Sequence, residues 1–327
     1  MLTPVKTDPP LVSVVIPTFD RARSVTASIA SADAQSYPVI EIVVVDDGSS
    51  DNTVEVVEGL QTRHPLKLIR LATNQGGGAA RNAGIEASSG DYVAFLDSDD
   101  AWESSKIAKQ IAALREAGEG YGACYTAVRY LDSTGRVIRI RPATKRGMIE
   151  SDLMGLNWVG TTSSVLVERH CLDEAGHFDP AMRSCQDWEL WIRLAQVTCF
   201  ATVNEPLVSY SESDTGRITT DPRARLAGHL QVYRKHLKNV HRRCPAAKGR
   251  YCYVLGAILL QAGRRKLASR CFAAAWKARP TSCRRTGALV MALSGQSYET
   301  FSKVTEGAAR VENRFLRAMG RVPTSVS

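Results

Sequence analysis

The sequence predicts an α/β fold with a mostly parallel sheet covered by helices, followed by an all-α extension. Three observations lead to this prediction. In the first half of the chain, four apolar strand segments alternate with segments of helical periodicity. The strand segments are nearly continuous in apolar residues, which is typical of parallel strands buried on both faces. From about Arg223 onward the pattern is helical, rich in basic residues and poor in acidic ones.

The strand and helix segments follow one another at the spacing of βα units. "LVSVVIP" (Leu11–Pro17) is a short apolar run that ends at a proline, and a helix-like segment at Arg23–Gln35 follows it. "IEIVVVDD" (Ile40–Asp47) repeats this plan, with its helix at about Thr53–Gln61. The later segments are a strand at Lys67–Ala72, a short helix at Gly78–Ala87 and a strand at Asp91–Asp97.

Length and composition favour a soluble globular protein with one large domain and a smaller one. The chain has 327 residues, of which 44% are apolar and 23% charged. No apolar run approaches the roughly 20 residues that span a bilayer, and "MLTPVKTDPP" lacks the apolar core of a secretory signal. The eight cysteines are scattered without the spacing of a zinc site, which favours a reduced, cytoplasmic protein.

The charge distribution divides the chain into an acidic body and a basic tail. Residues 1–222 hold 20 lysines and arginines against 30 acidic residues, whereas residues 223–327 hold 22 against 3. We therefore expect one domain at 1–222 and a basic helical region at 223–327. A basic region of this length has three candidate partners, which are an anionic membrane surface, a diphosphate-linked lipid acceptor and nucleic acid. No nucleic-acid-binding motif accompanies it, so nucleic acid is not expected, and a membrane surface is favoured over a merely solvated face.

Part of the basic region predicts a helical hairpin. Residues 251–280 read as two helices joined at Gly263, and Ala268, Phe272 and Pro280 have the spacing of one tetratricopeptide-type unit. A single unit is weak support, because stacked repeats normally supply the shared core. An ordinary helical hairpin is the alternative.

Four polar loops follow the predicted strands, and they predict a ligand site. "PTFDR", "DDGSSD", "NQGGGAARN" and "DSDD" each stand at or beyond the carboxyl end of a strand. Ligands of open α/β sheets bind in the crevice outside these strand ends, so the four loops are expected to converge on one site. Simple turns would explain the glycines of these loops but not the acids that recur at two strand ends.

"DYVAFLDSDD" runs an apolar strand into three carboxylates within four residues, which requires something to offset their repulsion. Asp97 and Asp99 are two residues apart, so on an extended backbone their side chains point the same way and Ser98 points opposite. Carboxylate oxygens suit Mg²⁺ or Mn²⁺, which proteins typically bind through one or two carboxylates together with substrate phosphates. A solvated acidic turn is the alternative for an isolated pair of acids.

Four motifs, taken in order, resemble the family 2 glycosyltransferases. They are "VSVVIPTFDRARSV", "IEIVVVDDGSSDNT", "NQGGGAARNAGIEASSGDYVAFLDSDD" and "CQDWELWIRLA", which together span roughly residues 10–215. The resemblance implies the GT-A fold and an inverting enzyme that moves a sugar from a nucleotide-sugar, with UDP favoured, to an acceptor hydroxyl. It also implies synthesis of a bacterial cell-surface polysaccharide or glycolipid, with a saccharide or lipid-linked saccharide as the acceptor, at the cytoplasmic side of the plasma membrane.

The resemblance assigns roles to individual donor-site residues. Asp99 matches the acid that binds the metal, Mn²⁺ or Mg²⁺, and through it the donor diphosphate. Asp97 matches the acid that contacts the ribose, and Asp47 the acid that bonds the nucleobase, while Asp46 is equally well explained as a cap of the following turn. The full set of donor residues implied is Pro17, Phe19, Arg21, Asp47, Arg81, Asp97, Ser98 and Asp99.

The resemblance also suggests contacts for Phe19 and Arg81. Phe19 could stack on the base from a loop that also includes Pro17 and Arg21, and Arg81 approaches the phosphates or serves as a surface ion-pair partner.

"CQDWELWIRLA" carries the remaining part of the implied mechanism. Asp187 matches the family's general base, which removes the acceptor hydroxyl proton, and Gln186 stands where the family often has Glu. The apolar residues of the same helix are expected in the core, and a helix cap is the alternative role for Asp187.

The sequence departs from the family after this helix. Many relatives have a histidine there that helps to hold the metal or the diphosphate, whereas "PLVSYSESDTGRIT" offers Tyr210 and, as substitutes, Ser213 or Arg217. Two other functions stay open, a nucleotidyltransferase and a catalytically inactive nucleotide-sugar-binding or scaffold protein. The missing Gly-rich loop with lysine argues against the first, and retention of all four key acids argues against the second.

Overall fold

The structure, a computed structural model, describes residues 9–182, 184–212, 221–238, 244–294 and residue 300. The chain forms two units, the first from Met1–Leu153 and Asn157–Arg217 and the second from Met154–Leu156 and Ile218–Ser327. None of the described helices combines the length and the apolar content that a membrane-spanning helix needs.

Among the described residues, nine strands form one mixed sheet in the first unit. Their order is β3-β2-β1-β4-β8-β6-β9-β5, with β7 paired to β6 alone. The strands are β1 (Val12–Thr18), β2 (Ile40–Asp46), β3 (Leu66–Arg70), β4 (Tyr92–Phe95), β5 (Asp100–Trp102), β6 (Tyr121–Leu131), β7 (Val137–Arg141), β8 (Val165–Glu168) and β9 (Cys199–Ser211).

In the described part of the first unit, seven α-helices accompany these strands and pack against the sheet or a neighbouring helix. In the fourth, Ile107, Ile111 and Leu114 recur at helical spacing and are buried. The helices are α1 (Val25–Asp33), α2 (Thr53–Glu58), α3 (Gly77–Ala87), α4 (Lys106–Ala117), α5 (Glu150–Leu153), α6 (Arg169–Ala175) and α7 (Gln186–Val197).

The first four strands of the sheet order, β3, β2, β1 and β4, run parallel, as the alternation of strands and helices predicts. Beyond β4 the sheet becomes mixed, because β8 pairs antiparallel with both β4 and β6. Strand β9 then pairs parallel with β6 and antiparallel with β5. The predicted α/β fold with its helical extension is confirmed, and the parallel part is the half that contains the polar loops.

Pro17 lies inside strand β1 and is buried, whereas the sequence placed it in the following loop. Val15 accepts a hydrogen bond from the Leu96 amide, so the polar groups of this residue face β4. Pro17, two residues further on, faces the same side, where β4 has already ended at Phe95. A missing N–H at this position therefore removes no bond from the strand ladder, which is why the strand tolerates proline.

The short connection from β4 to β5 requires the sheet to curl. Strand β5 lies four strands away from β4 in the sheet order, about 19 Å across a flat sheet. Only four residues, 96–99, connect the two strands, and they include a turn in which the Asp100 amide bonds to the Asp97 carbonyl at 3.0 Å. Since a turned connection of this length cannot span the flat distance, the sheet must curl to bring β5 back beside β4.

The described residues of the second unit form packed helices. Gly263, with φ of 74°, joins two helices, and the Cβ of any other residue at Gly256 would lie 2.7 Å from the Phe272 ring. This close approach lets Phe272 be fully buried. The helices are α8 (Pro222–Val232), which continues into a π-helical turn at Tyr233–Leu237, then α9 (Pro245–Gln261), α10 (Arg265–Ala278) and α11 (Cys283–Leu293).

Lys106 is a buried cation on α4. Its Nζ donates to Gln110 Oε1 at 2.8 Å and lies 3.8 Å from the centroid of the Trp102 ring. Gln110 in turn donates to the carbonyls of Cys124 and Ser164, both at 3.0 Å. Burial lowers the pKa of Lys106 to about 7.

This buried lysine predicts a pH-dependent stability. In the unfolded chain Lys106 has its ordinary pKa of 10.5, whereas in the folded protein its pKa is about 7. The buried charge therefore lowers the free energy of unfolding by its full amount below pH 7, and this effect disappears as the pH rises toward 10.5. Lys106→Met should therefore raise the free energy of unfolding by about 2–4 kcal/mol at pH 7 and by progressively less toward pH 10. Denaturant unfolding across this pH range measures the difference.

The matched control is Lys109→Met, which replaces a lysine on the same helix whose side chain is 40% exposed and pairs with Glu205. It should give a difference from the parent protein that does not vary with pH. A Lys106→Met difference that is equally flat would contradict the account of Lys106 as a cation whose burial is unfavourable.

Candidate active site

The site lies at the carboxyl edge of the parallel strands, where the loops after β1, β2, β3 and β4 meet. The loop after β1 presents Phe19, which is 41% exposed, and Arg21, whose Nη2 is 3.9 Å from Asp99 Oδ2. The Arg21 amide donates to Thr53 Oγ1 at 2.9 Å, which holds this loop against the start of α2. The predicted loop residues Phe19 and Arg21 therefore stand at the surface of the site.

Asp47 organises the neighbouring loop. Its two carboxylate oxygens accept hydrogen bonds from the amides of Gln75 and Gly76, each at 2.8 Å. Gly48, with φ of 76°, brings the β2 loop so close that a Cβ would lie 2.8 Å from the Thr73 carbonyl carbon. The buried Asp47 side chain thus fixes the glycine-rich loop that leads into α3.

Asp46 has a different partner from its neighbour. One of its oxygens accepts from the Ser49 amide at 3.2 Å, which is the turn-capping role that the sequence allowed for it.

Burial alternates along the four residues of "DSDD". Ser98 and Asp100 are buried, while the side chains of Asp97 and Asp99 are 26% and 22% exposed. Both acids are therefore partly accessible, although the backbone at Ser98 and Asp99 forms a turn and not the extended strand that the expected orientation assumed. Asp100 accepts a 2.6 Å hydrogen bond from the Ser163 hydroxyl, which in turn accepts from the Asp97 amide at 3.0 Å.

Arg81, near the start of α3, connects two separate segments of the site. Its Nη2 donates to Asp97 Oδ1 at 2.5 Å, and its Nη1 lies 3.5 Å from Gln186 Oε1. Nη1 also donates to the Gly77 carbonyl at 3.1 Å, and the guanidinium lies 5.4 Å from the centroid of the Phe178 ring. The guanidinium thus joins the acid after β4 to the first residue of α7, and it offsets part of the negative charge of "DSDD".

Asp187 is the second residue of α7, next to Gln186, and is partly buried. Its Oδ2 accepts a 2.9 Å hydrogen bond from Asn157 Nδ2. The Asn157 side chain also bonds to the Gly160 carbonyl and accepts from the Gly160 amide. The carboxylate is therefore held from one side by an amide that is itself fixed.

Burial raises the pKa of Asp187 above the ordinary aspartate value, and the nearby charge of Asp97 raises it further. Three contacts oppose this shift by stabilising the carboxylate. They are the Trp188 amide, the charge of Arg81 and the amide of Asn157. Because the net pKa shift is upward, Asp187 holds a proton more strongly than an exposed aspartate does.

The sequence motifs do not include three residues that contact the acids of the site. Two of these residues contact the acids after β4, and the third contacts Asp187. The Thr162 hydroxyl lies 3.0 and 3.1 Å from the two Asp97 oxygens, and Ser163 links Asp97 to Asp100. Asn157 is the third, and it stands in a loop outside any motif. The available signal was the polar run "GTTSS" directly before an apolar strand, which resembles the strand-adjacent polar loops of the first half.

The segment in which many relatives have a histidine is only partly described by the structure. Tyr210 lies in β9 opposite Asp100, with its ring centroid 4.9 Å from that of Tyr130. Ser213 and Arg217 lie outside the described residues.

The Glycosyl transferase family 2 model matches residues 13–168 of the chain. An uncharacterized glycosyltransferase of Nostoc sp. is 31% identical over 238 residues, covering 70% of this chain and 66% of the relative. The amylovoran biosynthesis glycosyltransferase AmsB of Erwinia amylovora is 30% identical over 208 residues, covering 61% of this chain and 68% of the relative. The chain belongs to the family 2 glycosyltransferases, and it is a glycosyltransferase.

Solved structures with the same fold are GT-A enzymes. TarS of S. aureus in complex with UDP-GlcNAc has a TM-score of 0.59 at 16% identity, covering 92% of each chain. A mannosyltransferase of Pyrobaculum calidifontis in complex with GDP-Man and Mn²⁺ has a TM-score of 0.60 at 19% identity. This match covers 93% of this chain and 87% of the mannosyltransferase.

The contacts of Asp47 predict that its carboxylate stabilises the fold without any ligand. Asp47→Ala leaves the amides of Gln75 and Gly76 without their charged acceptor, so the free energy of unfolding should fall by about 2–4 kcal/mol. Denaturant unfolding of the ligand-free protein checks this. Asp99→Ala, at a partly exposed acid of the same site, should change stability by less than about 1 kcal/mol. Equal stability of Asp47→Ala and the parent would show that other contacts hold this loop.

Proposed function

We propose that this glycosyltransferase moves a sugar from a nucleoside diphosphate sugar, with a UDP-sugar favoured, to an acceptor hydroxyl with inversion at the anomeric carbon. The product is part of a bacterial cell-surface polysaccharide or glycolipid. Similarity to a relative named for amylovoran biosynthesis supports the pathway class. The UDP-GlcNAc and GDP-Man complexes of proteins with this fold support the donor class.

One observation carries the proposal, which is the bridge that Arg81 forms between Asp97 and Gln186. Asp97 belongs to the predicted donor site, and Gln186 is adjacent to the predicted base Asp187. A transferase needs both parts within reach of one sugar, because the acceptor must attack the carbon from which the diphosphate leaves. A binding protein would need only the donor part.

The donor site is proposed to extend along the carboxyl edge of the sheet. Phe19 stacks on the nucleobase, since its ring is exposed where the loops meet. Asp97 contacts the ribose, with its carboxylate positioned by Arg81 and Thr162. Asp47 bonds the base through lone pairs that remain after it accepts from Gln75 and Gly76.

Asp99 fits the requirement for a divalent metal ligand. It offers hard carboxylate oxygens on a side chain that is 22% exposed, and one of them lies 3.9 Å from Arg21 Nη2. Mn²⁺ or Mg²⁺ held by Asp99 and the donor diphosphate would supply positive charge where the leaving group develops negative charge. Because the Arg21 guanidinium lies beside Asp99, it would face the same part of the donor as the metal.

Asp187 is proposed to act as the general base. The acceptor hydroxyl oxygen forms a bond to the anomeric carbon while the bond from that carbon to the diphosphate oxygen breaks, and Asp187 takes the hydroxyl proton. Asn157 and the Trp188 amide orient the carboxylate and favour its ionised form. The raised pKa of Asp187 makes it a better proton acceptor than an ordinary aspartate.

The two parts of the chain are proposed to have different roles. Residues 1–222 bind the donor and carry the chemistry, and the basic region 223–327 contacts an anionic membrane surface at the cytoplasmic face of the plasma membrane. Part of the basic sequence, residues 239–243 and 295–299, lies outside the described residues, as does the segment 301–327.

The metal role of Asp99 is testable through donor binding alone. Asp99→Asn keeps the shape but removes the charge, so affinity for the UDP-sugar in the presence of Mn²⁺ should fall at least about tenfold. Calorimetric titration with and without Mn²⁺ measures this, and Glu119→Gln, at an exposed acid before β6, is the control. Donor binding by Asp99→Asn that equals the parent with Mn²⁺ present would refute the assignment.

The role of Asp187 separates catalysis from donor binding. Asp187→Asn can still hydrogen-bond the acceptor but cannot take its proton, so kcat should fall about 10²–10⁴-fold. Donor affinity should stay near the parental value. In the parent, kcat should fall as the pH drops through the raised pKa of Asp187, because the protonated acid accepts no proton. Transfer by Asp187→Asn at the parental rate would reduce Asp187 to a helix cap.

A further inference from the structure

The segment 133–149, here called the basic hairpin, differs from the rest of the first unit in charge. It contains five cations and no acidic residue, although residues 1–222 as a whole carry an excess of acids. It includes the turn after β6, strand β7 and the loop that leads to α5. Its cations are Arg136, Arg139, Arg141, Lys145 and Arg146.

The basic hairpin also exposes apolar side chains. Val137, Ile138 and Ile140 are 54%, 51% and 52% exposed, and Met148 is 75% exposed. These are four of the nine large apolar side chains that are exposed among the described residues. Clustering of this kind, rimmed by polar residues, marks an interaction surface more often than isolated exposed residues do.

Several of the cations lie where they can act on a partner. Arg136 and Arg146 are exposed, and Arg139 is 55% exposed although it stacks on Tyr130 at 3.5 Å and pairs with Glu212. Lys145 pairs with Asp152 at 2.7 Å. After these pairs are counted, the surface around the exposed apolar side chains is still positively charged.

We propose that the basic hairpin docks on an anionic lipid bilayer. In this arrangement the side chains of Ile138 and Ile140 enter the boundary between headgroups and acyl chains, and the arginines reach the lipid phosphates. A second copy of the chain fits this surface less well. Within the described residues β7 pairs with β6 alone, and edge pairing of two copies would bring the same cations together.

Single-stranded nucleic acid is also a poorer fit than a bilayer. Binding of that kind relies on exposed aromatic rings on which bases stack, whereas the exposed apolar residues of the basic hairpin are aliphatic or methionine. Aliphatic side chains beside arginines are typical of surfaces that meet the interface of a membrane.

The basic hairpin is linked to the candidate base by two contacts. The Arg141 guanidinium donates to the Asn157 carbonyl, and the Asn157 side chain donates to Asp187. If the proposed function holds, the docked bilayer would lie close to the acceptor part of the site. The inference then favours an acceptor that is anchored in the bilayer over one that is free in solution.

Vesicle binding by the full chain tests the proposal without catalysis. The parent should cosediment with phosphatidylcholine vesicles containing about 30% phosphatidylglycerol, and salt should weaken this binding. Ile138→Ser with Ile140→Ser should weaken it roughly tenfold. Arg136→Gln with Arg146→Gln should weaken it about fivefold per cation and reduce its salt dependence.

The matched control is Lys67→Gln with Arg70→Gln, which removes two exposed cations from β3, at the end of the sheet order away from β7. It should change vesicle binding less than about twofold, because these cations do not meet the bilayer. Hairpin variants that bind vesicles like the parent would overturn the proposal and leave the membrane contact to the basic region 223–327. A parent that sediments as a dimer and hairpin variants that sediment as monomers would overturn it in favour of self-association.

Donor titration and the thermal midpoint of each variant show that it is folded. Because these readouts and vesicle binding do not require sugar transfer, failure of the docking inference and failure of the proposed function are distinguishable.

Discussion

The ion pair between Arg81 and Asp97 is the interaction on which the arrangement of the site depends. Three carboxylates follow β4 within four residues, and each is balanced in a different way. Asp97 bonds to Arg81, Asp100 is buried against the Ser163 hydroxyl, and Asp99 faces the surface near Arg21. The same guanidinium reaches Gln186, so the charge that stabilises the strand end also fixes the start of α7 relative to the sheet. A single, partly buried arginine thereby couples the electrostatics of the loop after β4 to the position of Asp187.

The parallel half of the sheet was predictable from the sequence because each apolar strand is followed by its helix and by a polar loop. The antiparallel half was not. Strands β6, β8 and β9 have no regular alternation with helices, and their order in the sheet depends on contacts between segments far apart in the chain. The placement of Pro17 in a loop was wrong for a local reason. Proline usually ends a strand, whereas Pro17 occupies a strand position at which the neighbouring strand β4 has already ended.

Within the site, the motifs located the acids but not their supports. The family resemblance assigned Asp97, Asp99 and Asp187 to one site, whereas Asn157, Thr162 and Ser163 became apparent only from their contacts in the structure. Small polar residues in loops are too common for sequence alone to single them out. The basic hairpin was missed for the opposite reason, since the total charge of residues 1–222 is negative and conceals a stretch of 17 residues without acids.

The curled sheet has a consequence for the order in which the protein acquires its site. Asp100 pairs with Tyr210, so the strand that immediately follows the acidic turn is held by a residue 110 positions later in the chain. Contacts between residues so far apart in the sequence form late in folding, because the entropy cost of closing the loop is met before the contact stabilises the chain. During synthesis from the amino terminus, the parallel strands can assemble while the acidic turn still lacks its partner strand. Ordering of the acidic turn is thus coupled to the pairing of β5 with β9, so this turn gains its partner strand only when nearly the whole first unit has been synthesised.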